Sequence, residues 1–341
     1  MSLPSLNQSF VIGSIQGPEG PIPQVSSSLI WRDRLGTFRV RWGIGRMRYT
    51  VDPGLYALGN PDKDSPVLVT ANYKMSFDRL REMLPDRNVW ILVLDTKGIN
   101  VWCAAGKGTF GTQEVVDRIE SIGLARIVSH RELILPQLSG PGVAAHEVKK
   151  LSGFKVIYGP IRSKDLPSFL ENGYKATPEM RRKTFHLWER AAVIPVELVA
   201  AFKNLLLIIP FFIIFSLLGK SGVNQGLYAC LALLISILSG AVLTPLLLPW
   251  LPGRAFSLKG LSLGILAAFL FVALRPGTGL ERVAWFLIIP AASAFLAMNF
   301  TGASTYTSLS GVRKEMRWAV PFEIGAAVVG LGLWIGSNFI A

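Results

Sequence analysis

The sequence predicts two fold classes in one chain: a Rossmann-like α/β domain, followed by an α-helical transmembrane domain of five helices. Three observations carry this. Five long apolar runs lie in succession after about Val193. Between residues 66 and 175, short apolar runs alternate with amphipathic helical patterns. Half of the 341 residues are apolar and 17% are charged, with a mean hydropathy of +0.42, too high for an ordinary soluble protein of this size. Together these exclude a disordered chain, a collagen-like repeat and a purely soluble globule.

Residues 1–65 read as an N-terminal extension. Its opening, MSLPSLNQSFVIG, lacks the basic stretch and long apolar core of a secretory signal. Phe38-Arg-Val-Arg-Trp42 and Arg46-Met-Arg-Tyr-Thr-Val51, joined by Gly43-Ile-Gly45, alternate with period two and predict a β-hairpin with a basic, solvated or membrane-facing surface. From Pro66 the pattern is strand then helix: strands at 67–70, 89–94, 126–128, 133–135 and 156–158, and helices at 77–84, 112–122, 143–151 and 165–171. In such a sheet a ligand sits at the carboxyl ends of the strands, so the loops that matter begin at Thr70, Asp95, Pro136 and Gly159. Residues 176–197 read as a linker or juxtamembrane helix.

The membrane domain, 198–341, has candidate spans at 198–218, 227–248, 256–274, 283–300 and 319–340. Each is about long enough to cross a hydrocarbon core of about 30 Å at about 1.5 Å per residue. Arg181, Arg182, Lys183, Arg190, Arg254, Lys259, Arg313, Lys314 and Arg317 flank the spans on the side of the N-terminal domain, and Lys220, Arg275 and Arg282 on the other. That bias predicts a multi-pass protein of the cell (inner) membrane, with the α/β domain cytoplasmic and the C-terminus outside. It also accounts for much of the net charge of +13 without nucleic acid. Glu323 is expected about one turn into the last span, as an end-of-helix carboxylate, and Gly332 with Gly336 form a GxxxG expected to pack helices.

With only Cys103 and Cys230, far apart, no disulfide framework or zinc ribbon can form, and a reducing compartment is the natural reading. Cys230 lies inside an apolar span. Cys103 lies in Asp95-Thr-Lys-Gly-Ile-Asn-Val-Trp-Cys-Ala-Ala-Gly-Lys-Gly-Thr109, directly after the strand at 89–94. Asn100 is a good N-cap and Gly106 a helix stop, so a very short helix is expected at the ligand edge, its dipole and Lys107 favouring a thiolate at Cys103. A ligand-facing thiolate there is a candidate nucleophile or metal ligand; equally, on spacing alone, Cys103 is a small buried apolar residue beside Trp102. Gly106-Lys107-Gly108-Thr109 resembles the end of a phosphate loop, but the first glycine such a loop needs would fall at Val101. No G-x-G-x-x-G follows the first strand of the α/β domain. His130, His146 and His186 lie on separate segments and read as surface or capping residues; a Cys–His pair using Cys103 stays open on the residues alone.

The run Asn100-Val-Trp-Cys-Ala-Ala-Gly-Lys107, followed by five membrane helices, closely resembles the cap-helix signature of the membrane corrinoid proteins of bacterial and archaeal mercury methylation. Pro66-Val-Leu-Val-Thr-Ala-Asn-Tyr73, Leu133-Ile-Leu-Pro-Gln137 and Tyr158-Gly-Pro-Ile-Arg162 look like the loops of their corrinoid domain, which is similar to that of the large subunit of the corrinoid iron-sulfur protein of the acetyl-CoA pathway. The Asp-x-His-x-x-Gly pattern of histidine-ligated cobalamin enzymes is absent.

The resemblance implies a methyltransferase carrying a cobalamin-type corrinoid, base-off, with Cys103 as the catalytic thiolate and lower ligand to cobalt. Thr70, Asn100, Val101, Trp102, Ala104, Ala105, Gly106, Lys107, Gly159 and Ser163 would line the cofactor. Methyl-Co(III) would give its methyl group to Hg(II) as a carbanion equivalent, the thiolate pushing electron density onto it. The implied partners are a methyltetrahydrofolate-type donor or its methyltransferase, and a ferredoxin-like protein with [4Fe-4S] clusters, since this chain has no cysteine quartet of its own. A membrane-anchored methyl carrier of acetyl-CoA-pathway type is the alternative. A transporter with a regulatory domain fits poorly, because the spans show weak internal symmetry.

Overall fold

The structure is a computed structural model and describes residues 3–219, 222–274, 277–300 and 309–340. The chain divides into two units: Met1–Val40 with Ile44–Lys183, and Arg41–Gly43 with Thr184–Ala341.

The first unit is built on one seven-stranded sheet: β1 (Val11–Gly17), β2 (Gly20–Val25), β3 (Gly54–Leu58), β4 (Val67–Ala71), β5 (Val89–Leu94), β6 (Glu132–Leu135) and β7 (Lys155–Tyr158), in the order β1-β2-β3-β5-β4-β6-β7. β5, β4, β6 and β7 run parallel; β3 is antiparallel to β5, and β1 to β2. The side chains of β5 show why both faces must be covered. Trp90, Leu92 and Leu94 enter one core and Val89, Ile91 and Val93 the other, so the strand is apolar throughout rather than alternating.

The helices of this unit are α1 (Trp31–Arg41), α2 (Lys74–Glu82), α3 (Val101–Lys107), α4 (Thr112–Ser121), α5 (Leu124–Ile127), α6 (Ala145–Ser152) and α7 (Leu166–Glu171). α2 and α7 cover one face with Phe77, Leu80, Leu166 and Phe169. α4 and α6 cover the other with Val115, Ile119 and Val148. The chain leaves β4 towards β5 on one side and later returns to β6 on the other. That puts a topological switch point at the carboxyl end of β4, where a crevice opens in such sheets.

Two local expectations fail here. Residues 38–51 form no hairpin: they are the end of α1, a left-handed Gly45 and a 3-10 turn at Arg46–Arg48. The alternation is real, but a helix seated by buried Asp33 and by Val40 needs only a narrow apolar face towards the core. The N-terminal hairpin is β1–β2, closed by Pro18 and Glu19. The short strand at 126–128 is instead α5, started by left-handed Gly123.

The second unit holds α8 (Leu187–Ala191), α9 (Ile194–Leu218), α10 (Gly222–Ile237), α11 (Thr244–Leu247), α12 (Phe256–Ala273), α13 (Gly279–Asn299) and α14 (Leu309–Ile340). A π-helical stretch, Leu238–Leu243, joins α10 to α11. Five helices are long and apolar enough to cross a membrane: Leu187–Leu218, Gly222–Leu247, Phe256–Ala273, Gly279–Asn299 and Ser310–Ile340. Leu206, Leu207, Leu218 and Phe322 are all exposed on them, as lipid-facing side chains are.

The packing glycines are not those expected. A Cβ on Gly332 would meet nothing within 4 Å, and one on Gly336 only its own helix. Gly330 instead meets Ile288 and Ala284 of α13, and Gly260-x-x-x-Gly264 of α12 lies against Pro290, Ser293 and Ala294. α14 also starts well before residue 319, because Arg313, Lys314 and Arg317 are good helix formers that a hydropathy pattern cannot see. Glu323 therefore lies inside that helix, 9% exposed, with neither carboxylate oxygen hydrogen-bonded. Lys220, Arg275 and residues 301–308 lie outside the described residues.

Candidate functional site

Four loops leave the carboxyl ends of β4, β5, β6 and β7, and α3 sits on the second of them. Its sequence explains its shape. Asn100 caps it, its side-chain oxygen accepting the Cys103 backbone N–H at 2.9 Å, and left-handed Gly108 ends it. Ala104 and Ala105 are buried in the core beneath, so a seven-residue helix is seated by two methyl groups. Gly142 makes room for that seat: a Cβ there would run into the Phe110 carbonyl and come 2.9 Å from the Ala105 Cα.

The other positions follow from this seating. Trp102 is 38% exposed, and Gly106 and Lys107 are exposed beside it. Val101 packs partly against the core. Cys103 is a free thiol at intermediate exposure, not a buried apolar residue. Ala104 and Ala105 turn away from the open side, and Thr70, near the end of β4, is almost wholly buried. Gly159 is buried where β7 ends, its N–H donating to the Leu135 carbonyl at 2.8 Å, and Ser163 opens a 3-10 turn four residues on. The structure thus brings Val101 through Lys107 onto one helix capped by Asn100, and sets Thr70 inside the end of β4 and Gly159 and Ser163 on the loop after β7, at the same sheet edge.

Residue reasoning missed Asn72. Its side-chain oxygen accepts from the Thr96 N–H at 3.1 Å, the Thr96 hydroxyl at 2.8 Å and the Gly98 N–H at 3.0 Å, while its amide donates to Asp95 at 3.2 Å. One side chain at the end of β4 therefore fixes the loop that carries α3. An asparagine just past an apolar strand is the turn signal that could have found it. Lys97 and Gly98 are both left-handed in this loop, and the Lys97 ammonium lies 2.5 Å from Asp95. Burial alone would raise the Asp95 carboxyl; the hydrogen bonds and charge of Lys97 outweigh it and hold the group below the ordinary carboxylate range. Residues 46–51 flank the same loop. The Val51 N–H donates to the Asn72 carbonyl, and a Cβ on Gly98 would meet Thr50 and the Met47 carbonyl.

Among the described residues no group of three or more His, Cys, Asp or Glu is arranged to hold a metal ion. His130 is bonded to the Ser65 carbonyl and the Glu132 N–H, and His186 caps α8. A single thiol fits a metal whose other positions are filled by a macrocycle, not a bare ion. Beside that thiol, Trp102, unsubstituted Gly106 and Lys107 are exposed. Thr109 adds a buried hydroxyl without a hydrogen-bond partner next to the end of the helix.

Residues 44–170 match the CdhD family, described as CO dehydrogenase/acetyl-CoA synthase delta subunit. The chain is 36% identical over 124 residues to the acetyl-CoA decarbonylase/synthase complex subunit gamma of Methanopyrus kandleri, covering 36% of this chain and 26% of that protein. It is 33% identical over 141 residues to the subunit gamma of Methanocaldococcus jannaschii, covering 40% and 28%. The chain thus spans about a quarter of the length of the curated relatives it matches, and the family match covers the sheet edge with α3 and stops short of the five long apolar helices.

Proposed function

We propose that the chain is a membrane-anchored methyltransferase whose Rossmann-like domain, residues 66–175, holds a base-off corrinoid and methylates Hg(II). When bound, the corrinoid supplies a cobalt-held methyl group. The observation that carries the reading is the place of Cys103: a partly exposed thiol on a short, capped helix at the switch point, in no group of three or more His, Cys, Asp or Glu among the described residues.

This chain's residues divide the work. Asn100 holds the Cys103 N–H and so fixes the helix register that aims the thiol. Ala104 and Ala105 anchor the helix to the sheet, and Asn72 holds its approach loop. With a corrinoid held there, Trp102 and Val101 would offer it apolar surface, Lys107 and Ser163 polar groups and Gly106 an open backbone position, while Thr70 and Gly159, both buried, would shape the sheet edge beneath. Cys103 is the residue that would hold the metal, and a thiolate there would supply the electron density that favours methyl transfer to a soft acceptor such as the substrate Hg(II). Low-potential electrons come from a ferredoxin-like partner with [4Fe-4S] clusters, and methyl from a methyltetrahydrofolate-type donor or its methyltransferase. The α/β unit faces the cytoplasm.

The likeness to acetyl-CoA decarbonylase/synthase subunits supports a second reading, a methyl carrier serving another acceptor. One experiment separates the two. Full-length protein, loaded with corrinoid in detergent, is given methyl donor and Hg(II), in wild type and Cys103→Ala. The expected result is methylmercury from wild type only, with both proteins retaining corrinoid and differing in visible spectrum. Corrinoid binding without methylmercury from either protein favours the carrier. Full methylation by Cys103→Ala refutes the thiolate mechanism.

A further inference from the structure

We propose that α1 is an interfacial helix that lies on an anionic phospholipid surface. The helix is inside out. Its only carboxylate, Asp33, is 2% exposed and Val40 2%, whereas Trp31 is 75%, Phe38 59% and Leu35 40% exposed. At about 100° per residue, Trp31, Leu35 and Phe38 share a stripe about 60° wide, which Trp42 continues one residue past the helix end. Asp33 and Val40 point the opposite way. Arg32 and Arg39 flank the stripe on one side and Arg34 on the other, and exposed Ile44 and Met47 follow among Arg46 and Arg48.

The inward face explains why this orientation is stable. Asp33 Oδ1 lies 2.6 Å from Lys74 Nζ and Asp33 Oδ2 2.6 Å from an Arg81 nitrogen, and Asp78 completes the cluster at 2.7 and 2.9 Å. α1 is therefore held to α2 by ion pairs and to the core by Val40, while Trp31 and Leu35 stay exposed. Between residues 27 and 51 stand six arginines and one acid, Asp33, whose charge is already paired. A narrow apolar stripe with tryptophan at its start and arginines along both flanks suits one occupant by charge. Indole and phenyl rings sink to headgroup depth, and guanidinium groups reach outward to phosphates. A bilayer is within reach of the chain, since the α/β unit ends at Lys183 and the first candidate span begins at Leu187. This rests on the membrane reading of the spans but not on any corrinoid activity.

The test uses the full chain in nanodiscs, with both native thiols changed to alanine and an NBD fluorophore attached through Leu35→Cys. Because Leu35 is exposed, the label does not disturb the core, and circular dichroism checks the fold. In discs containing phosphatidylglycerol, emission should shift to the blue and be quenched by headgroup-proximal nitroxide lipid. The same label attached through Lys149→Cys, on exposed α6, should show neither effect. Combining Arg32→Gln, Arg34→Gln and Arg39→Gln should reduce the quenching. A water-like, unquenched probe at position 35 would overturn the proposal, whether the stripe is bare or covered by protein. Quenching equal in pure phosphatidylcholine and unmoved by the arginine changes would overturn the anionic-lipid assignment. Failure of the chain to enter nanodiscs would instead refute the membrane reading itself.

Discussion

Two helices of the α/β unit, α1 and α3, turn opposite kinds of side chain inward. α3 is seated by the methyl groups of Ala104 and Ala105 and presents a tryptophan, a thiol and a lysine outward. α1 is seated by a carboxylate and presents two arginine-flanked aromatics and a leucine. The first is held by close approach and the second by buried charge, so they should fail in different ways. Small-residue packing tolerates no added volume. An ionic seat tolerates no missing partner.

The largest effect is expected at the ionic seat. Lys74 bridges Asp33 and Asp78 and also lies over the Phe10 ring at 5.0 Å. Lys74→Met leaves two buried carboxylates to share Arg81. Removing one member of a buried ion-pair network costs about 3–5 kcal/mol, because a charge stays buried without its partner. Hydrogen exchange of the α1 and α2 amides in the full chain in detergent should show a drop of that size, with α3 barely changed. Adding Asp78→Leu should restore part of the loss. If α1 and α2 exchange as in wild type, the seat is not ionic.

This contrast also shows what the sequence could and could not reveal. The parallel strands were legible because β4, β5, β6 and β7 are short apolar runs set off by turn residues, and β5 was found residue for residue. The start of α3 was legible from Asn100, a local signal that needs no partner, whereas its end was not: the helix runs through Gly106, the expected stop, and ends at left-handed Gly108. α1 was not, because Asp33 becomes an inward residue only when Lys74 and Arg81, far along the chain, close around it. Asn72 was missed for the same reason: its partners at 95–98 become neighbours only once β4 and β5 pair. In the membrane unit, hydropathy located the spans but not which glycines meet a neighbour. Gly330 and Gly264 are chosen by α13, not by a motif in their own helices.

A smaller effect is expected at the packed seat of α3. Gly142→Ala adds one methyl where the Phe110 carbonyl and Ala105 already stand, and neither obstacle is a flexible side-chain end. Overpacking of this kind costs about 1–3 kcal/mol. The measurable consequence is faster exchange of the α3 amides with α1 unaffected, the reverse of the Lys74 pattern. Exchange spread evenly over both helices would mean that the two seats are one cooperative unit.

The smallest effect is the most telling for function. Asn100→Ala removes the side chain that accepts the Cys103 N–H, leaving the helix core untouched. Loss of an N-cap costs about 0.5–2 kcal/mol, felt in the first turn and not at Ala105. The Cys103 amide should therefore exchange faster while the amide of Gly108, at the other end of α3, keeps its wild-type rate. Asn100→Asp, which keeps an accepting oxygen at the cap, should restore protection of the Cys103 amide. Because Cys103 lies in that first turn, fraying there changes where its thiol can point. Asn100→Ala should accordingly alter the visible spectrum of corrinoid-loaded protein in the same sense as Cys103→Ala, but partially, and Asn100→Asp should not. A wild-type spectrum in Asn100→Ala would separate the cap from the thiol and leave Asn100 with a purely local stabilising role.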